Sequence, residues 1–463
     1  MSVSVALFTS DLRVHDQPVL RAALDGAERV VPLFVLDDAV LAADFTAPNR
    51  AAFLADCLAD LDASLRARGG RLVVRRGDPA RVAALLAEQT GAAAVHLAAG
   101  VSGYAQRRED RLREALGDRL RVHDAVVTVV APGSVVPAGR DHFAVFTPYL
   151  RRWEQAARRQ PAAPPRRVSV PAEVRGETPA QVRAALAAAG AGEPSPALPR
   201  GGETEGRRRW HAWQAAQLTG YQDHHDDLAG DATSRLSPYL HFGCLSATEL
   251  VGAAESVRAA GAAPGPGAEA FVRQLAWRDF HHQVLAARPD AAHDDYRPHG
   301  DRWEADAQEV AAWREGRTGY PIVDAGMRQL AHEGWMHNRA RLLTASFLAK
   351  TLYADWRVGA AHFLRLLVDG DLANNQLNWQ WVAGTGTDTR PNRVLNPLTQ
   401  ARRFDPQGAY VRRWIPELAG VEGAAVHQPW RLPAERRAAL DYPQPIVDLS
   451  AAAQRFRHGR GLY

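Results

Sequence analysis

Four short runs rich in β-branched residues recur in the first hundred positions: VSVALF (3–8), RVVPLFVL (29–36), RLVVR (71–75) and AAVHL (93–97). Longer Ala/Leu/Arg stretches separate them. In AAFLADCLADLDASLRARGG (51–70) the apolar residues recur at spacings of three and four and a Gly pair follows, the pattern of an amphipathic helix with a stop. Strands that alternate with helices close into one parallel sheet with helices on both faces. Residues 1–130 are therefore expected to form a doubly wound parallel α/β domain. No G-x-G-x-x-G follows the first strand, which argues against an ordinary dinucleotide site in this domain.

The pattern changes after that. QPAAPPRRVSVP and GEPSPALPRGGE are Pro-rich and flank one short Ala-rich helix, so residues 131–205 read as an interdomain linker. Beyond it the periodicity is helical throughout, giving an all-α domain over 206–463, and ten of the twelve tryptophans fall between Trp210 and Trp414. A chain of 463 residues exceeds what one core usually organises, and 46% apolar residues suffice for two. The net charge of +4 permits nucleic acid without arguing for it, because Lys350 is the only Lys and the remaining basic residues are Arg. Two cysteines cannot build a disulfide framework or an iron–sulfur cluster. No charged leader with a long apolar stretch opens the chain and no run long enough to span a bilayer occurs, so a soluble, cytoplasmic protein is expected.

Four segments carry candidate chemistry. DGDLANNQLNWQWVAGTGTD (369–388) crowds acids, amides and tryptophans together; a core would not choose them, since each desolvated Asp or Asn needs partners, so a polar ligand is expected there. TSRLSPYL (233–240) sets Thr233, Ser234 and Ser237 before a helix with Pro238 in its first turn. That arrangement suits a phosphate or a plain cap. In FVRQLAWRDFHH (271–282) an amide, an indole and a guanidinium, Gln274, Trp277 and Arg278, lie within two turns and are expected to face one cavity; the bland alternative is an amphipathic helix with Trp inside and Arg outside. GWMHNRARLLTASFL (334–348) offers Arg341, expected to pair with Asp369 or Asp371 because a buried guanidinium needs an acid. The pairs His224–His225 and His281–His282 lack any H-E-x-x-H or C-x-x-C setting, so no metal is expected. No G-x-S-x-G elbow is present, which disfavours hydrolysis.

Together with FTSDLRVHDQPVL (8–20) and GYPIVDAGMRQL (319–330), these segments resemble, in order and spacing over nearly the whole chain, the photolyase/cryptochrome flavoproteins, and bacterial class I cyclobutane pyrimidine dimer photolyases most. The resemblance implies a Rossmann-like α/β domain followed by a helical domain holding FAD. It implies that Tyr221, Thr233, Ser234, Arg235, Leu236, Ser237, Phe271, Arg341, Asp369, Gly370, Asp371 and Asn375 bind the cofactor, with Asn375 facing N5 of the ring, where plant light receptors typically carry Asp. Trp379, Trp356 and Trp303 match a chain of three indoles that delivers electrons to FAD. His225, Gln274, Trp277, Arg278, Asn338, Arg339, Trp381 and Gln400 match positions that contact lesion or DNA backbone.

The implied activity is light-driven repair: reduced FAD, excited by blue light, lends an electron to a flipped cyclobutane pyrimidine dimer and recovers it after the dimer splits. The implied partner is UV-damaged DNA, single- or double-stranded, met by a monomer with no membrane and no metal involved. Departures from the family pattern are Gln274 where many members carry Glu, His225 where Arg is common, and PNRVLNP (391–397), one residue short of the usual form. Leu342 follows Arg341, whereas (6-4) repair enzymes need a His acid there. In AAGVSGYAQRREDRLREAL (98–116) the Asn-Glu pair of folate-binding members is missing, so an 8-hydroxy-deazaflavin antenna is expected ahead of methenyltetrahydrofolate. A cryptochrome-like photoreceptor is the alternative, ranked second because such receptors often carry a C-terminal extension past the last helical pattern.

Overall fold

The structure, a computed structural model, describes residues 2–43, 45–260, 265–387 and 389–462. Five parallel strands form one sheet in the order β3-β2-β1-β4-β5: β1 Val3–Phe8, β2 Arg29–Leu36, β3 Val73–Arg76, β4 Ala94–Ala98 and β5 Leu120–His123. Val5 pairs with Val31 on one side and Val95 on the other. β1 is buried at every position, which is why it reads as a continuous apolar run: a parallel sheet covered on both faces has no solvent side for polar alternation. The third strand starts two residues later than its sequence run and ends one residue beyond it. β5 was not expected; at the sheet edge it carries only partly buried or exposed residues, so no apolar run announces it.

The pleat splits β1 between two cores. Val3, Val5 and Leu7 pack with Leu86 and Leu112 on one face. Ala6 and Phe8 on the other join a cluster that continues through Phe53 into Tyr239, Phe242, Phe271 and Phe280 of the helical half. The two halves thus share a core along one sheet face. Just after β1, the fully buried Arg13 stitches them, donating to Gly243 O at 3.0 Å and Val126 O at 3.1 Å. Gly243 sits at φ +66, and a Cβ there would lie 2.0 Å from Ser10 O, so only glycine allows the two backbones this close.

The Pro-rich stretch does not hang free. Its backbone bonds to the α/β half through Ala162, Val168, Ser169 and Glu177, and its helix Pro179–Gly190 lies on the helix Pro48–Arg66. That Pro48–Arg66 helix also reaches the helical half. Arg50 donates to the carbonyls of Leu364 and Leu367, and Asn49 to that of Leu366. These groups close the C-terminal end of the helix Trp356–Leu366, whose last carbonyls have no partners within their own helix.

Candidate functional site

The site is assembled by the helix Leu372–Ala383 and the D-G-D turn before it. Asp371 caps that helix, its Oδ1 accepting from Asn374 N and Asn374 Nδ2, each at 2.8 Å. Its Oδ2 accepts from His282 Nε2 at 2.9 Å. Burial pushes the Asp371 carboxyl up, but the hydrogen bond and charge of His282 together with the nearby Arg278 and His241 outweigh it and hold the group well below the usual carboxylate range. Asn374 presents its oxygen to His281 Nδ1 at 3.0 Å, which leaves His281 Nε2 as a lone-pair acceptor. Asp369 Oδ2 pairs with Arg341 Nη2 at 2.8 Å, so the sequence choice between the two acids resolves to Asp369. Gly370 lies over the Arg50 guanidinium, where a Cβ would sit 2.7 Å from Nη1.

The amides divide. Gln376 and Gln380 donate to Ala292 O and Ala291 O at 2.6 and 2.7 Å; they satisfy the turn at 289–294 and are structural. Asn375, 8% exposed, donates to Ala360 O at 3.2 Å and Gln376 Oε1 at 2.9 Å. Trp379 occupies the next turn of the same face.

Around this turn stand Thr233–Ser237 and Trp335–Arg341. Leu236, at the helix start, has no side-chain cap bond, so the hydroxyls are not spent on capping. Arg235 adopts a left-handed backbone at φ +52, uncommon for a side chain of its size. It is held by Asp231 at 2.7 Å and Glu333 at 3.1 Å and stacks over Trp335 at 4.2 Å. Trp335 Nε1 donates to Ser237 Oγ at 3.2 Å. His337 Nδ1 accepts from Arg339 N at 3.1 Å, which puts the ring proton on Nε2.

Several atoms here are buried and have no partner among the described residues: Asp369 Oδ1, His281 Nε2, His282 Nδ1, His337 Nε2, Thr233 Oγ1 and Trp379 Nε1. Buried polar groups are rarely left unpaired. Acceptors and donors interleaved in this way, beside an Arg-Asp pair and an aromatic wall, fit a large ligand with both a polar ring edge and phosphates. FAD is such a ligand.

Other expected site residues lie as follows. Tyr221 and Phe271 are buried in an aromatic cluster with Trp210 and Trp213, and the His225 ring lies tilted against Tyr221 at 5.3 Å. Asn338 is exposed, while Arg339 is tied to Asp226 at 2.6 Å and covers Phe404 at 4.3 Å. Gln400 is buried with Oε1 unpaired among the described residues, and Trp381 is half-buried. Trp356 is fully buried, its Nε1 donating to Asp295 at 2.8 Å; Trp303 is half-buried against Tyr353.

One expectation fails. Gln274, Trp277 and Arg278 do not face a single cavity: Gln274 is exposed, Trp277 stacks on Phe146 at 3.7 Å, and Arg278 turns inward. Arg278 is 9% exposed and donates to Val127 O at 2.7 Å and Leu240 O at 3.4 Å. Unpaired carbonyls at the seam between the halves draw the guanidinium in, the reverse of the amphipathic alternative as well. Sequence reasoning also gave no site role to Arg50, His281 and His282. Their signal was weak: two adjacent histidines on an otherwise apolar helix face, and an Arg just after a helix-starting Pro-Asn.

Burial holds His281 and His337 at about 4. The unfolded chain protonates both near 6.5, so it binds more protons than the folded state below that value. The stability these rings contribute is complete above pH 6.5 and is lost as pH falls toward 4. Thermal melts across that window should show a falling midpoint with loss of any bound flavin; a flat profile would contradict the neutral assignment.

Comparisons with known proteins agree with this geometry. Residues 4–167 match the family model described as DNA photolyase, and residues 271–459 match the FAD binding domain of DNA photolyase. A deoxyribodipyrimidine photo-lyase of Streptomyces griseus is 65% identical over 466 residues, covering 100% of both chains. The chain belongs to the DNA photolyase/cryptochrome family. Other members of this photolyase/cryptochrome family are also similar to it. Cryptochrome DASH of Gloeobacter violaceus is 37% identical, covering 96% of this chain and 93% of that one. A crystal structure of a class III photolyase from Agrobacterium tumefaciens superposes with a TM-score of 0.90 at 31% identity, covering 99% of this chain and 97% of that one. Among the described residues of this photolyase-family chain, no cluster of three or more His, Cys, Asp or Glu is placed to hold a metal ion, and no helix is long and apolar enough to cross a membrane.

Proposed function

We propose that the protein is a light-dependent DNA repair flavoenzyme that splits cyclobutane pyrimidine dimers, of the class I photolyase type. The observation that carries this reading is the Asp369–Arg341 pair set among buried, unpartnered polar atoms. Bound FAD supplies the light absorption and the electron that opens the dimer; the chain supplies orientation and a water-poor polar site. In this reading Arg341, Asp369, Gly370, Asp371 and Asn375 hold the ring edge. Tyr221, Phe271 and the segment Thr233, Ser234, Arg235, Leu236, Ser237 hold the remainder of FAD.

Trp379, Trp356 and Trp303 carry electrons inward. Trp277 and Trp381 wall the lesion cavity, with Gln274, Asn338, Arg339, Gln400 and His225 nearest the DNA; Arg278 supports that wall from behind. The substrate is UV-damaged DNA, bound through its backbone with little sequence preference. Flipping costs least where a lesion has already weakened stacking. The protein acts as a cytoplasmic monomer divided at about residues 130 and 205. A deazaflavin antenna at the carboxyl ends of the strands is supported by Arg108, whose buried Nε lacks a partner among the described residues beside Tyr104 and Asp37.

The test is blue-light illumination of a dimer-containing oligonucleotide with the FAD-loaded protein, alongside its absorption spectrum. Restored thymines support repair. The 37% identity to a cryptochrome DASH favours one second reading, a light receptor: reduction of the flavin by light with the dimers left intact would establish it.

A further inference from the structure

Trp277 is backed by a residue of the Pro-rich segment that joins the two halves. Phe146 opens the helix Phe146–Gln155, is buried, and lies parallel to the indole, with ring centroids 3.7 Å apart and planes only 8° from parallel. Aromatic pairs left to themselves settle offset or edge-to-face at about 4.5–7 Å. A contact this close and flat is imposed by its surroundings. Phe280 stands nearly perpendicular to both rings, 5.8 Å from Phe146 and 5.6 Å from Trp277, and closes one edge of the pair.

The constraint comes from the helix Pro266–Ala287, which also carries Trp277. Gln283 on that helix accepts from Phe143 N at 3.0 Å and donates to Phe143 O at 2.9 Å. Asp279 Oδ2 accepts from Trp153 Nε1 at 2.9 Å, and from Val129 N and Val130 N at 2.8 and 3.1 Å. Phe143, Trp153, Asp279 and Gln283 are all buried, so breaking any of these bonds would strand a polar group away from water. Phe146 lies between Phe143 and Trp153 in the chain, and its segment is therefore fastened on both sides to the helix it stacks against. Trp277 itself is half-buried, and its neighbour His281, at 5.7 Å, bonds to Asn374 of the candidate flavin site. With Phe146 on one face of the indole, a base can stack only on the other.

We propose that Phe146 is a positioning residue that sets lesion specificity: it holds the plane of Trp277, before any DNA arrives, in the orientation on which an extruded pyrimidine pair stacks. The inference rests on Trp277 walling the lesion cavity. Undamaged DNA keeps its bases stacked and meets the protein through its backbone, so it makes no use of the indole face. An extruded dimer does. An indole without its backing ring would have to be ordered at the moment of binding, and that ordering is lost from affinity. The loss falls on damaged DNA alone. The joining segment, which touches neither flavin nor DNA at Phe146, thereby becomes part of what distinguishes a lesion from an intact site.

Fluorescence anisotropy of the FAD-loaded protein in the dark tests this, with an oligonucleotide that carries one thymine dimer and with its undamaged counterpart. Phe146→Leu should bind the dimer about ten-fold more weakly. It should bind undamaged DNA as the native protein does, with its flavin retained and still reduced by light. Phe146→Tyr, which keeps the ring, should recover the dimer affinity. Equal losses on both DNAs, or no loss on either, overturn the proposal. Trp277→Ala separates it from the reading beneath: dimer affinity lost there but kept in Phe146→Leu overturns the positioning role alone, and dimer affinity kept in Trp277→Ala overturns both. Should the leucine variant fail to fold, native protein grown with fluorotryptophan decides. The fluorine resonance that Trp277→Phe removes should be one sharp line before DNA is added, and a broad or split line overturns the proposal.

Discussion

Replacing Arg341 with Met should yield a folded protein that is purified with little flavin. Asp369 is only 3% exposed at its side chain, and its Oδ2 takes Arg341 at 2.8 Å while Oδ1 is left for a ligand. Breaking a fully buried pair costs about 3–5 kcal/mol because the surviving charge is uncompensated. The Arg341 side chain is 23% exposed, and solvent screening lowers the figure to roughly 2–3 kcal/mol. If that loss falls on cofactor binding, FAD affinity drops by about thirty- to a hundred-fold at about 1.4 kcal/mol per tenfold. Titrating FAD into the apoprotein measures it, and Arg341→Lys should recover part of the loss. Unchanged affinity would mean that Asp369 does not face the cofactor.

Trp379→Phe should abolish reduction of bound FAD by light in the presence of a thiol, since a phenyl ring is far harder to oxidise than an indole. Trp379 is 2% exposed, edge-on to Phe363 at 4.9 Å and to Trp313 at 6.0 Å, with Gly359 pressed against its ring. The smaller ring leaves a cavity, so stability falls by about 1–3 kcal/mol as well. The two effects separate in the assay: enzyme reduced chemically beforehand should still split dimers. Failure of both reactions would assign Trp379 to the site itself rather than to its electron supply.

Much of the architecture was legible because parallel strands buried on both faces leave a strong local mark. β1 and β2 coincide with their apolar runs. β5 left none, since an edge strand with exposed residues looks like loop. The D-G-D turn and the tryptophans of the helix after it stood out as polar and aromatic residues with no local reason to be buried. What stayed hidden was decided by tertiary partners. Arg278 looks like a DNA-facing arginine until the carbonyls of Val127 and Leu240 claim it. His281 and His282, with no metal motif around them, offered no local role, and only the fold brings Asp371 and Asn374 to them.

Asn49 and Arg50 belong to the α/β half but close the carbonyl end of the helix Trp356–Leu366, and Arg50 passes under Gly370. Grafting a foreign α/β half onto this helical half would strip those carbonyls of their donors and slacken the turn that carries Asp369. A chimaera made that way should lose its grip on the flavin unless the graft brings an Asn-Arg pair in the same register.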